Sequence, residues 1–248
     1  MREYHVIQFS GGRTSAYMTK RLIDEGLKDT IVCFQNTGKE SLETLDFVNE
    51  CDKCWNLNIV WLEYGGKNTF KVVTYETASR NGEPFDLAIE ENKALPNSLM
   101  RWCTRILKIE TCNRYLKSIG VDDYVTYLGL RYDEPKRWMR RVGNENEELP
   151  LVKWKTTKHI VREFWANNDF DLMIDEPFGN CDLCFHKRPN QVKYIAKHHP
   201  EKLDWWTNWE KKIGKSWRKE GTLTQLVNND KLQGDLFEDK TECYCTID

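Results

Sequence analysis

An α/β fold, a parallel sheet with helices on both faces, is what the first half of this chain predicts, and three observations predict it. Apolar runs at Tyr4-Phe9, Thr30-Gln35 and Leu57-Leu62 are short and nearly continuous, as strands buried on both faces are. Segments with helical spacing separate them: Ala16, Met18, Leu22 and Ile23 after the first run, and Leu42, Leu45, Phe47 and Val48 after the second. Polar, glycine-bearing turns follow the first two strands, and in open parallel sheets ligands bind beyond the carboxyl ends of the strands.

The first turn is Ser10-Gly11-Gly12-Arg13-Thr14-Ser15. Adjacent glycines let the backbone turn where a side chain would clash, and the free N–H groups of the coming helix then converge on one place suited to a phosphate. Ser10, Thr14 and Ser15 add hydroxyl donors. From six residues alone this is equally an ordinary strand-to-helix turn. It is not a G-x-x-x-x-G-K-[ST] loop, since the one Gly-Lys-Ser, at Gly214-Lys215-Ser216, has Trp209 where the first glycine belongs. Asn36-Thr37-Gly38-Lys39-Glu40 ends the second strand on the same rim, so together the two turns predict a nucleotide cleft.

Residues 65–100 carry Gly65, Gly66, Gly82, Pro84 and Pro96 and read as a loop-rich excursion able to cover that cleft. A helix over Thr104 to Ser118 and a strand over Tyr124-Leu130 follow. Arg131 and Arg137 come directly after that strand, where a planar guanidinium can bond two oxygens of a phosphate or sulfate. The alternative for these arginines is a solvated charge run.

The chain's 248 residues suffice for a large core, and its formal charge of −2 gives no global attraction to nucleic acid. No apolar stretch is long enough to span a bilayer and the N-terminus shows no signal-peptide pattern, which predicts a cytoplasmic protein without a membrane partner. Nine cysteines in that setting read as thiols or metal ligands rather than disulfides. Cys181-Asp182-Leu183-Cys184 lies in a turn-like stretch, a suitable geometry for two ligands on one metal. Cys33 reads as a buried strand residue. Cys51 and Cys54 repeat the Cys-x-x-Cys spacing at the end of a helical pattern, where packing is the expected role. The five histidines form no triad or zinc-protease spacing, and only His186, two residues beyond Cys184, is placed as a spare ligand.

Trp206, Trp209, Ile213 and Trp217 recur at helical spacing in a mainly helical C-terminal extension, among Lys211, Lys212, Lys215, Arg218 and Lys219. Aromatic and basic residues so interleaved suit single-stranded nucleic acid, whereas the packing alternative buries the tryptophans and leaves a solvated basic face. The expected domains are a nucleotide-binding unit over 1–199 and the extension over 200–248.

Taken in order, Ser10-Gly11-Gly12-Arg13-Thr14-Ser15, Asn36-Thr37-Gly38 with Glu43-Thr44, Cys103 with Lys108, Gly129-Leu130-Arg131 with Asp133-Glu134, Pro150 with Trp154, and Cys181-x-x-Cys184 resemble the phosphoadenosine phosphosulfate reductase family of the PP-loop (adenine nucleotide alpha hydrolase-like) superfamily, over roughly residues 4–190. The resemblance implies a Rossmann-like sheet with an adenine nucleotide's phosphate on the Ser10 loop. It places adenosine near Asn36, Thr37 and Gly38, and Lys108, Arg131 and Arg137 at the phosphate or sulfate end. Family members with a [4Fe–4S] cluster use a Cys-Cys pair and a distant Cys-x-x-Cys. Here Cys103 stands 78 residues before Cys181 but follows Trp102, leaving Cys103, Cys181 and Cys184 as ligands, with Cys112, Cys243 or Cys245 as a fourth or the site open at one iron, or zinc instead of the cluster.

Lys240-Thr241-Glu242-Cys243 is similar to the tail of sulfonucleotide reductases, which implies Cys243 as the nucleophile toward sulfur and a thiol reductant as partner, although Tyr244-Cys245 departs from that tail. The Ser-Gly-Gly turn is closer to superfamily members that split ATP into AMP and pyrophosphate. That alternative implies Mg²⁺, a sulfur donor protein and an acceptor such as a nucleic-acid base. A third alternative is a binding module for nucleotide and nucleic acid without catalysis.

Overall fold

The computed structural model describes residues 4–174 and 179–229. Strands β1 (Tyr4–Gln8), β2 (Thr30–Asn36) and β3 (Val60–Tyr64) alternate with helices α1 (Arg13–Asp24) and α2 (Leu42–Trp55), as the sequence predicts. The excursion over 65–100 departs from the expected loop. It contains β4 (Phe70–Val73), antiparallel to β3, and α3 (Glu83–Asn92). Gly82 caps α3 from a left-handed conformation (φ 98°) and Pro84 sits in its first turn. The residues that read as loop punctuation are therefore a helix start, because proline's missing N–H costs nothing there.

A π-helix over Cys103–Glu110 runs directly into α4 (Thr111–Ser118), then β5 (Tyr124–Tyr127), α5 (Pro135–Trp138), β6 (Glu147–Glu148), α6 (Pro150–Lys153) and α7 (Lys158–Ala166). Three further helices close the described chain, α8 (Pro189–His198), α9 (Glu201–Ile213) and α10 (Leu223–Asn228). The six-stranded sheet has the order β4-β3-β2-β1-β5-β6, and every pairing except β3 with β4 is parallel. The chain builds outward from β1 through β2 and β3, then crosses to β5 on the other side, so the order reverses at β1. That reversal opens a crevice at the carboxyl ends of β1 and β5.

Alternation along the strands fills two layers. Ile7, Phe34 and Trp61 face α1, α2 and α7, where Phe47 and Trp165 meet edge to face at 4.9 Å. Val6, Cys33 and Leu62 face Cys112 and Leu116 of α4. A second large cluster joins Tyr64, Phe85 and Ile89 to Leu107, to Val192, Trp206 and Leu226 of the C-terminal helices, and to Trp217 between α9 and α10, so it crosses the boundary expected at 199/200. Among the described residues no helix is long and apolar enough to cross a membrane.

Candidate functional site

Three segments meet at the carboxyl rim. The first is the Ser10 turn. Gly11 has φ 78°, and a Cβ there would stand 2.7 Å from Thr44 Cγ2 and 3.1 Å from Phe34, so only glycine fits against the start of α2. Gly129 similarly lets the β5 rim approach, since its Cβ would lie 3.3 Å from Ser15 Cα. Ser10 N–H and Oγ both donate to Ser15 Oγ (3.1 and 2.9 Å), and Ser15 Oγ donates to the Gly12 carbonyl at 2.9 Å. The first backbone bond of α1 runs from Ala16 N–H to the Gly12 carbonyl, which leaves the amides of Arg13, Thr14 and Ser15 at the helix N-terminus, the positive end of its dipole.

The serine hydroxyls thus close the turn, while Thr14 Oγ1 has no partner among the described residues. Arg13, expected at the phosphate, turns elsewhere. Its guanidinium donates to both Asp171 oxygens (2.6 and 2.8 Å) and to the Leu172 carbonyl, tying α1 to the segment after α7.

The second segment is Asn36-Thr37-Gly38. Asn36 Nδ2 donates to buried Glu63 (2.6 Å) and to the Ser79 carbonyl, and Asn36 Oδ1 accepts from Gly38 N–H at 3.0 Å. Its amide is a strut of the turn. Thr37 donates from both N–H and Oγ1 to Glu40 Oε2 at 2.7 Å, and the other Glu40 oxygen lies 3.5 Å from Lys108 Nζ.

The third segment holds Arg131 and Arg137, and both are matched by carboxylates. Arg131 Nε reaches Asp133 at 3.0 Å, Arg137 Nη1 reaches Glu134 at 2.6 Å, and Arg131 Nη1 lies 3.6 Å from Glu134.

Beside the second segment, Cys103, Cys181 and Cys184 line one cavity of about 40 Å³ together with Thr37, Glu40 and Lys108. The π-helix accounts for part of this. Cys103 and Lys108 are five residues apart, about 140° around an α-helix, whereas the wider winding turns both toward the cavity. Lys108 therefore stands with the thiols. Burial pushes the Cys103 thiol up and Lys108 pulls against it.

Residues that the sequence reading did not single out hold the cysteine loop in place. Glu40 and Cys181 form a β-bridge, Asn180 accepts from Ser41 N–H and donates from Nδ2 to the Ser10 carbonyl (2.7 Å), and Lys39 pairs with Asp182. The signal for them was adjacency: Lys39, Glu40, Asn180 and Asp182 each lie within two residues of a singled-out glycine or cysteine, and Ser41 lies three beyond Gly38. Ser41 Oγ and Thr44 Oγ1 are buried without a partner among the described residues where α2 meets the Ser10 turn.

Other expectations resolve differently. Cys112, a residue of α4, packs with Val6, Cys33 and Leu62 and does not line the cavity of the other three thiols; it is hydrogen-bonded with Cys33 and accepts from Gln8 Nε2 at 3.4 Å. Cys51 is buried as packing, with its thiol pushed up by burial, and Cys54 is exposed. Trp206, Trp209 and Trp217 are core residues, Trp206 stacking on Trp217 at 4.2 Å, as the packing alternative expects of these three rings. Arg218, read on the solvated face, is buried and donates to the carbonyls of Phe185 and Lys187. Among the described residues, no three His, Cys, Asp or Glu side chains gather closely enough to hold a metal ion. Cys243 and Cys245 lie outside the described residues.

A switch-point crevice, a glycine turn at a helix N-terminus and a second polar turn beside it define a nucleotide-binding α/β protein. The phosphoadenosine phosphosulfate reductase domain matches residues 4–171, and the chain belongs to that family. Among curated proteins it is similar to the uncharacterised nin region protein ORF290 of Escherichia phage lambda, 29% identical over 78% of this chain and 69% of that one. Two uncharacterised Methanocaldococcus jannaschii proteins, MJ0973 and MJ0066, are 26% and 22% identical over 83% and 87% of this chain. The chain spans 47% and 44% of their lengths, less than half of each.

Proposed function

We propose that this protein performs thiol-dependent sulfur chemistry on an adenine nucleotide, and that its reaction is the reduction of an adenylated sulfate to sulfite. The observation that carries this is the joining of three thiols to the nucleotide rim: Cys103, Cys181 and Cys184 share a cavity with Thr37 and Lys108, and the Glu40–Cys181 bridge fixes one wall to the other.

The nucleotide's phosphate lies on the amides of Arg13, Thr14 and Ser15, with Thr14 Oγ1 as an added donor. The Cys243 thiolate attacks the sulfate sulfur, the adenosine phosphate leaves with the bonding pair, and an S-sulfocysteine forms. A second thiol then attacks Cys243 Sγ, which releases sulfite and leaves a disulfide that an external thiol reductant returns to the dithiol.

Cys103, Cys181 and Cys184 match a [4Fe–4S] cluster, or zinc, in donor type, three thiols lining one cavity, but as described they do not stand close enough together to hold a metal ion, so the group would have to draw them in. When bound, such a group keeps those thiols deprotonated and together.

The charge balance of the rim favours a second reading. Arg131 and Arg137 face Asp133 and Glu134 one for one, which suits a triphosphate that brings Mg²⁺ as its own counterion. An acceptor oxygen then attacks the α-phosphorus of ATP, pyrophosphate leaves, and sulfur from a donor protein displaces AMP from the acceptor.

The test is an anaerobic thermal-shift ranking of ATP, adenylyl sulfate and phosphoadenylyl sulfate, followed by product assay. The reductase reading expects sulfite from a sulfonucleotide plus thiol reductant, lost in Cys243→Ser. AMP and pyrophosphate from ATP with Mg²⁺ and an acceptor, with no sulfite, selects the second reading.

A further inference from the structure

A second cavity, about 280 Å³, opens beside the thiol cavity and shares Phe185, His186 and Trp217 with it. Its wall carries Lys187, Arg188, Arg218 and Lys219, four permanent cations, against one carboxylate, Glu220. Arg218 forms the back of the wall, clamping the carbonyls of Phe185 and Lys187 at 3.1 and 2.7 Å and standing 3.3 Å from Glu220. That contact answers Glu220, and the lining as a whole is rich in basic residues. Two further features point the same way. Arg188 and Pro189 line the pocket at the N-terminus of the ten-residue α8, where the helix dipole is positive. Trp217 is 1% exposed and lines both cavities, and its indole N–H has no partner among the described residues. A buried donor left unpaired is costly unless something accepts from it.

We propose that this pocket binds a small oxyanion of the sulfite, sulfate and phosphate class at the entrance to the thiol cavity. The position beside Cys184 makes it the place where an anionic co-substrate or product of the thiols is held, a role that rests on the function proposed above; the anion site itself rests only on the pocket. Charge selects the class, because a pocket of four cations and one carboxylate attracts a multiply charged anion and repels a cationic one. Size admits a tetrahedral or pyramidal oxyanion with its water.

Titration calorimetry of the full-length chain with sulfite, sulfate and inorganic phosphate at low ionic strength tests this. Saturable binding is expected, weakening as salt is added, and the ranking of the three anions tells a sulfur oxyanion from free phosphate. Lys219→Glu, at an exposed position, combined with Arg188→Glu is expected to lower anion affinity at least tenfold. Trp217→Phe keeps an aromatic ring against Trp206 but removes the N–H, and is expected to lower affinity several-fold. Bound anion is also expected to slow alkylation of Cys184 by iodoacetamide.

The thermal shift produced by adenine nucleotide reads the other site and is expected to survive all three changes, which shows the variants are folded. No saturable binding by any of the three anions, or undiminished binding in the Lys219→Glu/Arg188→Glu protein with its nucleotide shift intact, overturns the proposal. Anion binding without any nucleotide shift in the unaltered chain would leave this site standing and remove the function proposed above.

Discussion

Lys39 Nζ lies 2.7 Å from Asp182 Oδ2, with side chains 8% and 10% exposed, and this pair joins the nucleotide turn to the Cys-x-x-Cys loop. Asp182 N–H also donates to the Lys39 carbonyl, Trp206 Nε1 donates to Asp182 Oδ1 at 3.1 Å, and the Lys39 ammonium sits 4.8 Å over Trp205. Burial pushes the Asp182 carboxyl up against the pull of Lys39. Removing one partner strands a buried charge, so Lys39→Met is expected to cost about 3–5 kcal/mol. Adding Asp182→Asn removes the stranded carboxylate. The double variant is therefore expected to be about 1–3 kcal/mol more stable than the sum of the singles implies. Urea denaturation of the four proteins measures this, and strict additivity would show that the two charges do not hold the segments together.

The adjacent glycines of the Ser10 turn are not equivalent. Gly11→Ala forces a left-handed residue, about 1–2 kcal/mol, and drives a Cβ to 2.7 Å from Thr44 Cγ2, a packing cost of about 1–3 kcal/mol. Gly12 has φ −106° and its nearest neighbour to a Cβ is Asn180 Nδ2 at 3.3 Å. Gly12→Ala is expected to lose no more than about 1 kcal/mol. Denaturation curves that fell together would contradict the turn geometry.

Those glycines and the strands around them were legible because a buried parallel strand leaves a continuous apolar run, and Cys33 reads as interior for the same reason. Residues 65–100 misled because Gly82 and Pro84 serve loops and helix starts alike. The π-winding of Cys103–Glu110 is invisible to a search for a 3.6-residue period, although it is what sets Lys108 beside the thiols. Arg13 and Arg218 had the right charge for solvent or phosphate, but their partners, Asp171 and the carbonyls of Phe185 and Lys187, are 158, 33 and 31 residues away. Nothing local announces such pairings.

Glu210 gives the C-terminal cluster a pH dependence. Its carboxylate accepts from Leu223 N–H at 2.8 Å and from Ser216 Oγ at 3.1 Å, yet burial prevails over these bonds and Arg218 and raises it above the ordinary 4.5. The unfolded chain thus ionises first as pH rises. The stability linked to Glu210 is full below about 4.5 and is lost as pH climbs through the raised folded value. Glu210→Gln cannot ionise, so its stability is expected to fall less steeply with pH in that window. Urea midpoints at half-unit intervals from pH 4 to 7 compare the slopes, and identical slopes would remove Glu210 as the source.

Thr14 separates binding from folding at the nucleotide turn. Ser10 and Ser15 spend their hydroxyls on each other and on the Gly12 carbonyl, so altering them disturbs the turn itself. Thr14 Oγ1, without a partner among the described residues, holds nothing in the free protein. Thr14→Val keeps its shape and is expected to leave stability within about 0.5 kcal/mol. A hydrogen bond to a charged phosphate contributes about 1.5–3 kcal/mol, so nucleotide affinity is expected to fall at least about tenfold. Thr14→Ser, which restores the hydroxyl, is expected to recover most of it. Calorimetric titration with ATP and adenylyl sulfate reads the effect on whichever nucleotide binds. Unchanged affinity in the valine variant would place the phosphate elsewhere on the rim, against Arg131 or Lys108 rather than on the helix amides.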